Sequence, residues 1–137
     1  MMSNTPKIHG GCLCKGVRYS LSELPYSAEY CHCNMCQKSV GAVTVNWMDL
    51  KKNQLTWITQ KPFEYQSSQN IYRGFCRHCG CSISFRDIRK PENITLTIAS
   101  LDEPNLVKPK LHIYTDDQVD WLSIDDECIR FSAEQTK

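Results

Sequence analysis

No apolar run in this 137-residue sequence approaches the roughly 18 residues that a helix needs to cross a bilayer. The first residues, MMSNTPKIHGG, carry no apolar stretch of the kind that opens a secretory signal. The expected setting is therefore cytoplasmic, with no membrane partner. Charge of one sign is also missing, since 16 basic and 15 acidic residues leave a net charge of +1. A domain that grips a phosphate backbone carries a basic excess, so no nucleic-acid partner is expected. Repeats, low-complexity tracts and linkers are lacking as well. The length suits one domain, placed at residues 8–133. With 41% hydrophobic and 23% charged residues, the composition is that of a folded core rather than a disordered tail.

What the sequence has in quantity is cysteine. There are nine: Cys12, Cys14, Cys31, Cys33, Cys36, Cys76, Cys79, Cys81 and Cys128. Eight of them fall into three hooks, C-x-C, C-x-C-x-x-C and C-x-x-C-x-C. Lasting disulfides are rare in a reducing cytoplasm, the count is odd, and bridges inside such hooks would close only tiny loops. Metal ligation fits the hooks better. Four thiolates around zinc at about 2.3 Å sit about 3.8 Å apart. Residues i and i+2 of a straight strand are roughly 6.6 Å apart, so a C-x-C pair chelates one ion only where the chain bends. Gly10, Gly11 and Gly16 flank the first hook and Gly80 follows Cys79, and these glycines are expected to supply the bends. An iron–sulfur cluster is the alternative metal, but C-x-C hooks do not match the usual ferredoxin spacings. Cys128, alone, reads as a buried inert thiol.

Short β-branched or aromatic runs predict strands at Val17–Leu21, Tyr26–Cys31, Ala42–Trp47, Gln54–Ile58, Phe63–Gln66, Ile71–Cys76, Ser82–Phe85, Ile94–Ile98 and Leu111–Tyr114. Asn34–Ser39 fits one helical turn, and nothing reads as a long amphipathic helix. The predicted class is mainly β, built largely of antiparallel strands, with the cysteine hooks at strand ends.

The segments GGCLCKGVRY, YCHCNMCQKSVGA and FCRHCGCSISF, followed by HIYTDDQVDWLSIDDE, resemble the glutathione-dependent formaldehyde-activating enzyme family, which includes centromere protein V-like domains. The resemblance runs from about Gly10 to Phe131. It implies a zinc-containing fold of coiled antiparallel sheets, a β-tent similar to methionine-R-sulfoxide reductases. It implies two zinc ions per chain, one structural and one labile. Cys12, Cys14, Cys76 and Cys79 would hold the structural ion, and Cys31, Cys33 and Cys36 the reactive one. Spacing alone does not choose this pairing of hooks over a sequential one. The implied activity is that of a carbon–sulfur lyase of the S-(hydroxymethyl)glutathione synthase type. It condenses glutathione or another small thiol with formaldehyde or a related aldehyde. Cys31, Cys33 and Cys36 would be the catalytic residues, on an open zinc that takes the thiol as its nucleophilic thiolate.

Other readings stay open on the residues themselves. The chain can instead be a non-catalytic zinc-fold binding module, or a sensor that releases zinc on oxidation of the second hook. Cys81 departs from the family pattern and reads either as a fourth ligand of the second zinc or as a half-buried thiol. His32 and His78 are read as exposed loop histidines or as ligands, and His112 as packed in its strand. Lys15, Lys38, Arg73, Arg77 and Arg86 lie near the hooks and can screen thiolates or bind a ligand's carboxylates.

Overall fold

A computed structural model describes residues 8–134 of the chain. These residues form two sheets. The smaller joins β1 (Ile8–Gly11), β2 (Arg18–Leu21) and β5 (Leu55–Trp57) in the order β1-β2-β5. The larger has eight strands, comprising β3 (Ser27–Cys31), β4 (Val45–Lys51), β6 (Phe63–Ser68), β7 (Ile71–Phe75), β8 (Ser82–Asp87), β9 (Asn93–Thr97), β10 (Leu111–Ile113) and β11 (Ile129–Arg130). Its order is β11-β10-β3-β4-β9-β8-β7-β6. All pairings are antiparallel except those of β10 with β3 and with β11. One α-helix, α1 (Asn34–Val40), follows β3. No helix among the described residues is long and apolar enough to cross a membrane.

Two-residue alternation sorts the larger sheet into two faces. Met48 and Leu50 of β4 sit opposite Leu96 and Ile94 of β9, and this face receives the smaller sheet. Val17, Tyr19 and Leu21 complete that core, each at most 1% exposed. On the other face Cys31 pairs with Val45, Glu29 with Trp47, and Arg73 with Phe85. Cys31, Cys36, Val45 and Trp47 form a second, smaller apolar cluster there. Cys31 and Cys36 are thus on the face that the small sheet leaves free, whereas Cys12 and Cys76 pack with the main core.

Each of the nine expected strand runs overlaps a strand, and the expected helical turn lies within α1. β4 starts at Val45 rather than Ala42, because α1 ends on Gly41 in the left-handed conformation (φ 76°) and a turn follows. β1 and β11 were not expected. IHGG has no alternating pattern, and β11 is two exposed residues long.

The glycine expectation needs one correction. Gly10 and Gly11 lie within β1, and Lys15, not a glycine, takes the positive φ (69°) in the first hook. Gly10 is required for space. A Cβ there would collide with the Tyr19 ring and stop 2.6 Å from the Ser100 carbonyl oxygen. Tyr19 cannot yield, because it is fully buried, its hydroxyl is 2.7 Å from Ser100 Oγ, and Trp57 packs edge-on against it at 5.9 Å. Gly10→Ala is therefore expected to destabilise the fold by about 2–4 kcal/mol, read as a lower midpoint in urea unfolding.

Candidate metal centres

The first hook turns directly out of β1, and the third closes the connection between β7 and β8. The sulfurs of Cys12, Cys14, Cys76 and Cys79 all lie within 4.8 Å of one another. Cys12 and Cys14 Sγ are 3.6 Å apart, and Cys14 and Cys76 Sγ 3.7 Å. Zinc bound tetrahedrally by thiolates wants about 3.8 Å. Backbone amides point at the sulfurs. Val17 N–H donates to Cys12 Sγ (3.3 Å), and the N–H groups of His78 and Cys79 donate to Cys76 Sγ (3.4 and 3.5 Å). Backbone N–H groups of Cys14 and Cys81 hold the Cys79 thiol down at about 6, so it ionises at neutral pH. The third hook closes through Gly80 N–H to the Cys76 carbonyl (2.8 Å), with Gly80 at φ 75° as expected.

The second hook straddles the end of β3 and the start of α1. Cys31 is the last residue of β3, Cys33 is the N-cap of α1, and Cys36 lies in its first turn. Their three sulfurs also fall within 4.8 Å of one another. Cys36 N–H donates to Cys33 Sγ (3.3 Å), which is helix capping by a sulfur. Arg73, from β7, places Nη1 3.4 Å from Cys36 Sγ. Hydrogen bonds from Cys31 and Cys33, and then from Arg73, pull the Cys36 thiol down to about 2, while hydrogen bonding to Cys33 and Cys36 and burial push Cys31 up. Of the three thiols, Cys36 is the one its surroundings ionise. By sulfur spacing, amide contacts and donor type, both clusters could hold zinc ions, the first with four thiolates and the second with three.

Cys81 is in neither cluster. Its Sγ lies 3.7 Å from the Ser82 carbonyl oxygen, and it packs against the main core. His78 is exposed, as read from the sequence. His32 is neither an exposed loop residue nor a ligand of the three-sulfur cluster. Because neighbours in an extended segment point to opposite sides, it turns away from Cys31 and is fully buried. Its Nε2 is 2.8 Å from His112 Nδ1, and His112 Nε2 is 2.9 Å from Asp126 Oδ2. With neutral imidazoles, the Asp126 carboxylate accepts from His112 Nε2 and His112 Nδ1 from His32 Nε2, and buried His32 Nδ1 has no partner among the described residues. This chain of bonds was not legible in the sequence, since its members lie 80 and 14 residues apart.

His112, Asp126 and Cys128 also gather within 4.8 Å. There the imidazole and carboxylate are already bonded to each other, and Arg130 Nη1 stands 3.3 Å from Asp126 Oδ1, which opposes a cation. Cys128 is half-buried, its Sγ 3.6 Å from the Pro109 carbonyl oxygen.

Of the five basic residues near the hooks, Arg86 is spent on Glu64 (2.6 and 2.8 Å) and Arg77 stacks over Phe63 (4.7 Å). Lys15 is exposed. Arg73 and Lys38 line a cavity of about 460 Å³ between α1 and the β7–β8 end of the sheet, with Trp47 and Phe75 among its walls. Trp121 is 74% exposed. Glu29 shares the sheet face with Cys31, a proximity that strand alternation alone could have shown. Burial, then a hydrogen bond with Asp49, raises its carboxyl to about 10, and Oε2 has no partner among the described residues.

The sequence profile of the family described as glutathione-dependent formaldehyde-activating enzyme matches residues 7–117. Among curated proteins, none matches. Among solved structures, a crystal structure of a Rhodobacter sphaeroides protein is similar in fold, with a TM-score of 0.59. It is 22% identical, and the match covers 74% of this chain and 96% of that one.

Two expectations follow from the site. If the clusters hold zinc, Cys76→Ser should prevent folding or strongly destabilise it, whereas Cys36→Ser should stay folded with about one zinc per chain. Circular dichroism with metal analysis reads both. Glu29 is protonated in the fold and ionised when unfolded between its ordinary value of 4.5 and about 10, so its penalty grows as pH rises through that window. Glu29→Gln should therefore stabilise the protein by about 1–3 kcal/mol at pH 8, with the gain shrinking toward pH 5, in urea titrations at both pH values.

Proposed function

Because the chain belongs to the glutathione-dependent formaldehyde-activating enzyme family, we propose that it joins a small thiol, glutathione first, to formaldehyde or a related aldehyde at Cys31, Cys33 and Cys36. Cys12, Cys14, Cys76 and Cys79 hold a structural zinc that ties β1 to the β7–β8 connection. The observation that carries this reading is the difference between the clusters. Among the described residues no fourth His, Cys, Asp or Glu atom joins the three sulfurs of the second, and Arg73 connects that cluster to a cavity of about 460 Å³. Four protein ligands close a zinc site, and three leave room for an exchangeable one.

Zinc held by Cys31, Cys33 and Cys36 supplies a Lewis-acidic centre that favours the thiolate form of an incoming thiol. In the net reaction a carbon–sulfur bond forms, the carbonyl π electrons move to oxygen, and the thiol proton ends on that oxygen. The protein's residues act on charge and position. An added thiolate raises the negative charge of a three-cysteine site, and the Arg73 guanidinium on Cys36 offsets it. Cys33 caps α1, and Gln37 Nε2 bonds the His32 carbonyl (2.6 Å) and the Asp117 carbonyl (3.1 Å), so the hook is braced from both sides. The hydrogen-bonded pair of His32 and His112, with Tyr30 stacked on His112, fills the reverse side, and both imidazoles are fully buried.

Titration of the zinc-loaded protein should show glutathione binding at least about tenfold more tightly than S-methylglutathione, whose sulfur cannot ionise. Formaldehyde added to the complex should give S-hydroxymethylglutathione faster than the uncatalysed mixture, measured by exchange NMR. Cys33→Ser should remove both effects while the circular dichroism stays native. Equal affinity for the two ligands together with an uncatalysed rate would replace the enzyme reading with a binding module.

A further inference from the structure

Among the described residues Arg73 is the one buried Lys or Arg, 7% exposed, and it has no carboxylate partner there. The contrast with its peers is informative. Arg18 and Arg86, both more exposed, each hold a carboxylate with two hydrogen bonds, to Asp102 and Glu64. Buried charges are ordinarily paired, because desolvation without compensation is costly. The three nitrogens of the Arg73 guanidinium can be followed one by one. Nε donates to Ser67 Oγ at 3.0 Å and Nη1 to Cys36 Sγ at 3.4 Å, and the plane lies 5.1 Å over the Phe85 ring. Nη2 has no acceptor among the described residues, and the space that Arg73 lines is the cavity of about 460 Å³.

The rest of that cavity has the same character. Its two charged lining residues are Arg73 and Lys38, and no Asp or Glu lines it. Lys38 sits on the last turn of α1, exposed, with no ion pair among the described residues. Ser67, Ser82 and Ser84 add hydroxyl groups, while Trp47 and Phe75 supply apolar wall. The Cys36 thiolate offsets part of the Arg73 charge, but the cavity itself is lined by Arg73 and Lys38 and by no carboxylate, which favours an anion there. A guanidinium with a free edge matches a carboxylate in geometry and charge.

We propose that this cavity is a carboxylate-binding subsite, built on Arg73 and Lys38, that selects carboxylate-bearing thiols over neutral ones for the three-cysteine cluster beside it. The inference rests on the thiol-binding reading above for its choice of ligand. Arg73 is then a specificity residue that bridges the two halves of the site. One nitrogen contacts the cysteine sulfur and the other the ligand's carboxylate, while the ligand's methylene stem lies along the apolar wall.

Calorimetric titration of the zinc-loaded protein tests this with four ligands: glutathione, S-methylglutathione, and the diethyl ester of each. Esterification neutralises the carboxylates and leaves the sulfur unchanged. In the wild-type protein each ester should bind about tenfold or more weakly than its free acid, one charge-assisted contact being worth that factor. Arg73→Gln should bring acid and ester to equal affinity, Lys38→Gln should narrow the gap, and Arg73→Lys should restore part of it, with zinc content unchanged in all three. The wild-type comparison stands alone if Arg73→Gln fails to fold. Esters that bind as well as acids overturn the subsite, as does an acid preference that survives intact in both the Arg73→Gln and Lys38→Gln variants. Equal binding of glutathione and S-methylglutathione, with esters still weaker, removes the thiol reading and leaves the carboxylate subsite standing. No binding of any of the four removes both.

Discussion

The sulfurs of Cys14 and Cys76, 62 residues apart in the chain, meet at 3.7 Å, and the two-sheet arrangement depends on that closure. β1 and β2 belong to the small sheet, β7 and β8 to the far half of the large one, and the four-cysteine cluster is where the two sheets are pinned together at one end. Strands of two to seven residues cannot supply this through local propensity. Their contacts are mostly between distant segments, and each requires loop-closure entropy before it returns any stabilisation. A single ion on four thiolates would shorten that loop in one step, and apparent binding energies of roughly 10 kcal/mol exceed what any one strand pair contributes. The inward-turned amides at Cys12, Cys76 and Cys79 prepare the thiolates for this by offsetting their charge.

Once one face of the large sheet is covered, the opposite face inherits the chemistry. Alternation along β3 places Cys31 and Glu29 on that side, β4 adds Trp47, β7 adds Arg73 and β8 adds Phe85. The face therefore combines an ionisable cysteine, a cation pressed on it, and a carboxyl group kept neutral by burial. A neutral Glu29 avoids adding negative charge near three thiols, and Arg73 offsets what the thiols themselves bring. The two devices act in the same direction, which is tolerance of negative charge at Cys36.

Much of this was legible in the sequence, and the limits have physical causes. The strand runs are readable because buried faces impose a two-residue rhythm, as in SISF and TLTI. The hooks are readable because chelation needs tight spacing. Hook pairing is not a local property, and the residues alone left open which hooks share a cluster until the family resemblance was drawn. Glycine was misassigned at Gly10, where the requirement is room beside Tyr19 and not a bend, since a packing partner on another strand leaves no local mark. His32 reads like its neighbours in the hook, and only the alternation of an extended chain reveals that it faces the other way. Cys81 has the spacing of a ligand, and the strand that begins at Ser82 carries it away from both clusters.

The position of His32 has a consequence for the order of events during synthesis. The second hook is complete in sequence by Cys36, but the reverse of that hook is closed by His112, and His112 is held in turn by Asp126. β10 and β11 add to the sheet edge beyond β3, so the last strands of the larger sheet are the ones that back the cysteines made among the first. A nascent chain that has emerged only as far as β9 has all its clustered thiols and most of its core partners, with the edge of β3 still open. The three-cysteine cluster is therefore assembled from an early part of the chain, and the side turned away from its sulfurs is closed by a histidine that lies 80 residues beyond His32.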